Sequence, residues 1–177
     1  MNLKNYMVKT FLVFGLFVAT CSLGQPLSIA PITVAVQSKA AMIGMQQAVD
    51  RGQMEGRISE ATGRCISGLS DDSFASVFTR LLAENLTLEE IAVAEAFSGT
   101  EAGRRIVKLA HLQLYMGTEK KLPETLFVFT ATEIATIEAY QNTSAGTKLM
   151  LQRVLESPTS AVAINRRILD LLKACGK

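Results

Sequence analysis

One stretch of this chain occurs twice, and that recurrence limits the fold more than any other feature. TLEEIAVAEAFSGTEAGRR, Thr87 to Arg105, aligns without a gap on TATEIATIEAYQNTSAGTK, Thr130 to Lys148, at a spacing of 43 residues. Thr87/Thr130, Glu90/Glu133, Thr100/Thr143 and Gly103/Gly146 are identical pairs, while Phe97/Tyr140 and Arg105/Lys148 are conservative ones. Self-similarity at a fixed period marks a duplicated supersecondary unit. Thr-x-x-Glu opens each copy and reads as a capping box. The hydroxyl accepts from the N3 amide, and the N3 carboxylate accepts from the cap amide. About ten residues rich in Ala, Glu and Ile follow, without Gly or Pro until the break after Phe97 or Tyr140. A second cap at Thr100 or Thr143 then opens another helix. Gly103 and Gly146 fall in its first turn, where glycine costs about 1 kcal/mol relative to alanine. Their presence implies close packing against the aromatic at 97 or 140.

Each copy therefore reads as helix, corner, helix, over about 87–116 and 130–157. The fold class that follows is all-α: a compact helical bundle built around the duplicated unit. Glu90 with Glu95, and Glu133 with Glu138, invite an acid/base reading. Five residues apart on a helix, the members of each pair point about 140° away from one another. Glu90 and Glu133 already have capping work, so the structural reading is preferred.

The run Phe97-Ser98-Gly99-Thr100-Glu101-Ala102-Gly103-Arg104-Arg105 and its second copy, Tyr140 to Lys148, share a pattern: aromatic, cap, glycine, basic residue. This resembles the F-Y-x-S-P-x-G-x-K signature of the bacterial secreted family described as domain of unknown function 2059 (DUF2059). The chain has one aromatic in place of two, Thr for Ser, and no proline after the cap. The resemblance implies an all-helical envelope protein and brings no established catalytic residues with it.

The first 24 residues read as a secretory leader. Lys4 and Lys9 form its basic end, FLVFGLFVA (Phe11 to Ala19) its apolar run, and Ser22 with Gly24 the small residues before cleavage at Gln25. The apolar run is shorter than the roughly 20 residues that span a bilayer. Val18-Ala19-Thr20-Cys21 offers the alternative of lipidation at Cys21, and only then is a membrane a partner. Removing the leader takes two lysines from eighteen basic residues and leaves sixteen against sixteen acidic ones. A neutral mature chain carries no nucleic-acid footprint.

Residues 25–37, with Pro26 and Pro31, read as an extended lead-in to a single helical domain over 38–177. A helix is expected from about Ser38, with Met42, Met45 and Val49 at helical spacing. Those methionines suit a core, with a plastic binding groove as the alternative. A break is expected near 51–55. Ile58, Cys65, Ile66 and Leu69 form the next stripe, closed by Gly68. Ser70, Asp71 and Asp72 offer caps for a helix burying Phe74, Val77, Phe78, Leu81 and Leu82 and stopping at Asn85. Between the copies, a short helix from Pro123 is favoured over a buried strand at Leu126 to Phe129. The last helix is expected from about Thr159 to Cys175.

Cys65 and Cys175 remain after leader removal, each on an apolar stripe. In an exported chain two thiols usually pair. A bridge would close a loop of about 110 residues and stabilise by somewhat over about 4 kcal/mol in the chain-entropy model. The competing use, a Cys65 nucleophile with the sole histidine His111, has no supporting motif. Nor does the sequence hold a metal-ligand set, a phosphate loop or any cofactor motif. The functional expectation is an exported, non-catalytic helical interaction or accessory module whose partner is an envelope protein or an apolar ligand. The alternatives are an envelope hydrolase using Glu95, Glu138 and His111 in one cleft, and a lipid-anchored structural protein.

Overall fold

The computed structural model describes residues 30–116 and 126–176. Among these residues there are eight α-helices and no strand, and the all-α expectation holds. The leader, Cys21 and the Pro123 helix start lie outside the described residues.

Helix α1, Pro31–Met54, is the spine. At about 1.5 Å per residue it runs roughly 36 Å. It begins well before Ser38, so the extended lead-in is corrected for residues from Pro31 onward. Two causes explain the early start. Pro31 occupies the first helical turn, where its fixed φ and missing amide cost nothing. Ala30 has no side chain to cap the helix, and Glu95 substitutes for it. That carboxylate accepts from the amides of Ile32 at 2.8 Å and Thr33 at 3.0 Å, and from the Thr33 hydroxyl at 2.9 Å. The expected break falls at Glu55 and Gly56, where Gly56 adopts φ +70°.

Helix α2, Glu60–Ser67, starts on the Ser59 cap and ends at Gly68. A 3-10 turn, Asp71–Phe74, is capped by Ser70 and leads into α3, Ala75–Asn85. Phe74, Val77, Phe78, Leu81 and Leu82 are all buried, as their spacing requires. They meet Met42, Met45 and Val49 from α1, Ile66 from α2 and Leu171 from the C-terminal helix in the main core. Met42 and Met45 are 1% and 2% exposed, so they fill the core rather than line a groove. The C-terminal helix α8, Pro158–Cys175, is capped by Ser157 and packs on α2 and α3. Cys65 and Cys175 stand at disulfide distance, with Cα atoms 5.5 Å apart, at the α2–α8 contact.

The repeat supplies α4 and α5 in its first copy, Leu88–Ser98 and Glu101–Tyr115. The second copy supplies α6, Ala131–Gln141, and α7, Ser144–Gly146. Where α5 runs straight for 15 residues, α7 passes at once into a π-helical turn, Thr147–Leu151. A left-handed Arg153 and a 3-10 turn, Val154–Glu156, follow. Leu126 to Phe129 are in no regular element. Their alternation is real, but Phe127 and Phe129 turn toward the Arg105 guanidinium, at 4.6 and 5.9 Å, instead of toward a neighbouring strand.

Candidate functional site

The corner inside each copy explains the repeated signature atom by atom. Thr87 and Thr130 both form complete capping boxes with Glu90 and Glu133. At the corner, the Phe97 carbonyl accepts from the Thr100 amide at 2.9 Å and from its hydroxyl at 2.7 Å. The same hydroxyl accepts from the Gly103 amide at 2.9 Å. Tyr140, Thr143 and Gly146 repeat all three bonds at 2.9, 2.7 and 3.0 Å. A Cβ on Gly103 would lie 2.0 Å from the Phe97 carbonyl oxygen, and one on Gly146 would lie 1.9 Å from that of Tyr140. The glycine therefore makes room for the carbonyl of the aromatic residue, where the sequence pointed to its ring.

The two copies clasp each other reciprocally. Helix α4 packs on α7 and α5 packs on α6. Lys148 of the second copy donates to Glu90 of the first at 2.7 Å, and Arg105 of the first pairs with Glu133 of the second at 3.2 Å. The equivalent rings Phe97 and Tyr140 stack on each other, 3.9 Å between centroids and 4° between planes. Such mutual exchange of equivalent contacts is the signature of an isologous, two-fold pairing, here within one chain. The N3 carboxylates thus serve twice, as cap and as cross-copy partner. Hydrogen bonds from Lys148 and Ser144 and from the Thr87 amide hold the Glu90 carboxyl down at about 2. The Thr130 amide and hydroxyl, with the Arg105 charge, lower Glu133 against the opposing effect of desolvation.

A groove of about 430 Å³ opens where this pairing meets α1. Its walls come in equivalent pairs, one residue from each copy. Phe97/Tyr140, Ile106/Leu149 and Val107/Met150 give the apolar part, and Ala110/Arg153 and Gln113/Glu156 the rim. Val36 and Ala40 of α1 close the remaining side. The second copy's wall carries both backbone irregularities of the region. The π turn presents Leu149 and Met150, and Arg153 sits at φ 51°, the one non-glycine with positive φ among the described residues. A left-handed non-glycine costs roughly 1–2 kcal/mol. π turns and strained residues concentrate at functional sites.

The proposed acid/base groups do not converge. Glu95 is committed to the α1 N-terminus, and Glu138 is exposed and lines neither the groove nor the cleft beside it. His111 lies on the groove wall and donates from Nε2 to the Val36 carbonyl at 3.2 Å. Burial lowers its pKa, the Val36 bond opposes this, and the nearby Lys39 charge adds to the lowering. Burial pushes the Tyr140 phenol up to about 12, which keeps it neutral. Cys65, at bonding distance from Cys175, does not line the groove. Among the described residues no group of three or more His, Cys, Asp or Glu is placed to hold a metal ion. Nor is any helix there long and apolar enough to cross a membrane.

Compared with family models, curated proteins and solved structures, the chain matches none of them. The groove was not read from the sequence. The signal that could have found it is the continuation of the 43-residue register past Lys148, which pairs Ile106 with Leu149 and Val107 with Met150.

Proposed function

We propose that the chain is an exported, non-catalytic binding module that receives an apolar ligand, or an apolar segment of an envelope protein, in the groove between its two repeat copies. The carrying observation is the groove itself: paired apolar walls, with its irregular backbone confined to one of them. Its volume falls within the range of small-molecule sites. Export rests on the Met1–Gly24 leader with cleavage before Gln25, lipidation at Cys21 being the anchored variant of the same reading. The resemblance of the Phe97–Arg105 and Tyr140–Lys148 runs to DUF2059 fits an envelope role. A hydrolase reading gains no support from Glu95, Glu138 and His111, which lack a common target.

The test uses the neutral apolar fluorophore N-phenyl-1-naphthylamine. Titration should give a saturable, one-to-one fluorescence rise. Ala110→Phe, which fills the groove from an exposed helix position, should abolish it without lowering the melting temperature. No saturable rise, or one that Ala110→Phe leaves intact, would overturn the assignment.

A further inference from the structure

The groove between the repeats is matched in its apolar lining and unmatched in its polar lining. At the aromatic position the copies differ by a single oxygen: Phe97 in the first, Tyr140 in the second. Tyr140 is only 7% exposed, and its hydroxyl makes no hydrogen bond with any described residue. Among those residues the one unmet side-chain atom sealed from solvent belongs to Ser38. The Tyr140 hydroxyl is therefore still accessible, through the groove that the residue lines. Burial alone acts on the phenol and pushes it up to about 12, so it stays protonated and carries a donor. The polar groups near it are already in use. Ser98 donates to the Ala94 carbonyl at 2.8 Å, and the Thr33 hydroxyl to Glu95 at 2.9 Å. His111 donates to the Val36 carbonyl, and Arg153 to Glu156 at 2.8 Å. Gln37 is partly buried and Gln113 exposed, so water can serve both.

A nearly buried donor without a partner is costly, and a purely apolar guest would strip the last water from it. A guest that places an acceptor there removes the cost. A carboxylate is a poor choice, because it would bring a charge into an apolar wall whose one arginine is already held by Glu156. A peptide segment is also a poor choice, since each of its carbonyls comes with an amide donor, and the Val36 and Ala94 carbonyls are occupied. A neutral carbonyl with no donor of its own fits. Resting on the binding role of the groove given above, we propose that its guest is a neutral apolar carbonyl compound, a ketone or ester, whose oxygen accepts from the Tyr140 hydroxyl. The matched apolar walls hold the hydrophobic body in either direction, and the single hydroxyl makes the groove one-way. The carbonyl end lies against the second copy, where Leu149 and Met150 of the π turn pack on Tyr140.

The probes are 9-fluorenone and fluorene, which share a flat tricyclic frame and differ at one position, a carbonyl against a methylene. Equilibrium dialysis would give their affinities for wild type and for Tyr140→Phe. That variant takes the ring the first copy carries at 97, keeps the stack and removes one unpartnered atom, so its melting temperature should not fall. The preference for fluorenone over fluorene should drop about fivefold in Tyr140→Phe, with fluorene bound at least as well as before. The infrared carbonyl stretch of fluorenone bound to wild type should lie below its position in alkane, and should return toward it in the variant. A preference that Tyr140→Phe leaves unchanged, or an unshifted stretch in wild type, would overturn the proposal while N-phenyl-1-naphthylamine binding kept the groove reading intact. A lower melting temperature for Tyr140→Phe would show the hydroxyl satisfied within the protein and would overturn it too. So would saturation by an apolar peptide with no binding of fluorenone. If neither tricycle nor the fluorophore binds, the groove reading itself fails. The infrared measurement uses wild-type protein and decides the matter even if the variant fails to fold.

Discussion

Replacing Gly103 by alanine tests the corner most sharply, because ordinary helix energetics give the opposite sign. In a helix interior alanine outperforms glycine by about 1 kcal/mol. Here the new Cβ would sit 2.0 Å from the Phe97 carbonyl oxygen, 2.9 Å from its carbon and 3.0 Å from Ser98 Cα. All three are backbone atoms, so no side chain can swing aside. Bringing the shortest contact out to 3.0 Å requires α4 and α5 to part by about an ångström at the corner. That movement stretches the Thr100 bonds to the same carbonyl and disturbs the stack of Phe97 on Tyr140. Overpacking of this kind costs about 1–3 kcal/mol, occasionally more. Because all three atoms are backbone, the upper end of that range applies, and after the propensity gain is subtracted a net loss of about 2 kcal/mol remains. Gly146→Ala, at 1.9 Å from the Tyr140 oxygen, should behave alike. Gly44 of α1 is the control, since a Cβ there meets nothing within 4 Å; Gly44→Ala should gain up to about 1 kcal/mol. Urea unfolding of the three variants supplies the comparison. If Gly103→Ala and Gly146→Ala prove as stable as wild type, the carbonyl-tuck account of the signature is wrong.

Further expectations rest on single groups. Ser38 is fully buried and its hydroxyl lacks a partner among the described residues. An unmet buried hydroxyl costs about 1–3 kcal/mol, so Ser38→Ala should raise stability by roughly 1 kcal/mol, and a loss would show that the hydroxyl is satisfied. Glu90 has a folded pKa near 2, below the unfolded value of about 4.3. Its contribution is therefore present above the unfolded value and lost as pH falls toward 2. Melting curves of wild type and Glu90→Gln should differ at pH 6 (roughly neutral conditions) and converge in acid; a constant gap would refute the clasp. In exported protein, Cys65 and Cys175 should alkylate only after reduction, and Cys65→Ser/Cys175→Ser should lose roughly 2–5 kcal/mol. Thiols that react without reduction would remove the bridge.

Much of the fold was legible because its determinants are local. The capping boxes at Thr87 and Thr130, the second caps at Thr100 and Thr143, and the Phe74–Leu82 face each declare themselves within a few residues. The Cys65–Cys175 pairing was expected from the count of cysteines and the leader-like N-terminus, and the two stand at disulfide distance. What escaped was tertiary. Pro31 satisfies the same first-turn rule that favoured a helix at Pro123, but the cap that starts α1 comes from Glu95, 62 residues away from the Thr33 amide it binds. The cross-copy pairs Lys148–Glu90 and Arg105–Glu133 were visible only as a conserved basic position in the repeat. The π turn and the left-handed Arg153 have no local sign, for TKLMLQRVLE contains neither Gly nor Pro. The groove depends on both irregularities, so it was hidden with them.

Whether an apolar guest lies between the copies decides the proposed function. The direct measurement is a set of intermolecular Overhauser contacts between bound N-phenyl-1-naphthylamine and the methyl groups of the groove. The structure predicts contacts to both members of the equivalent pairs, Ile106 with Leu149 and Val107 with Met150, and to Val36 of α1. Contacts confined to one copy, or to methyl groups outside the groove, would contradict it.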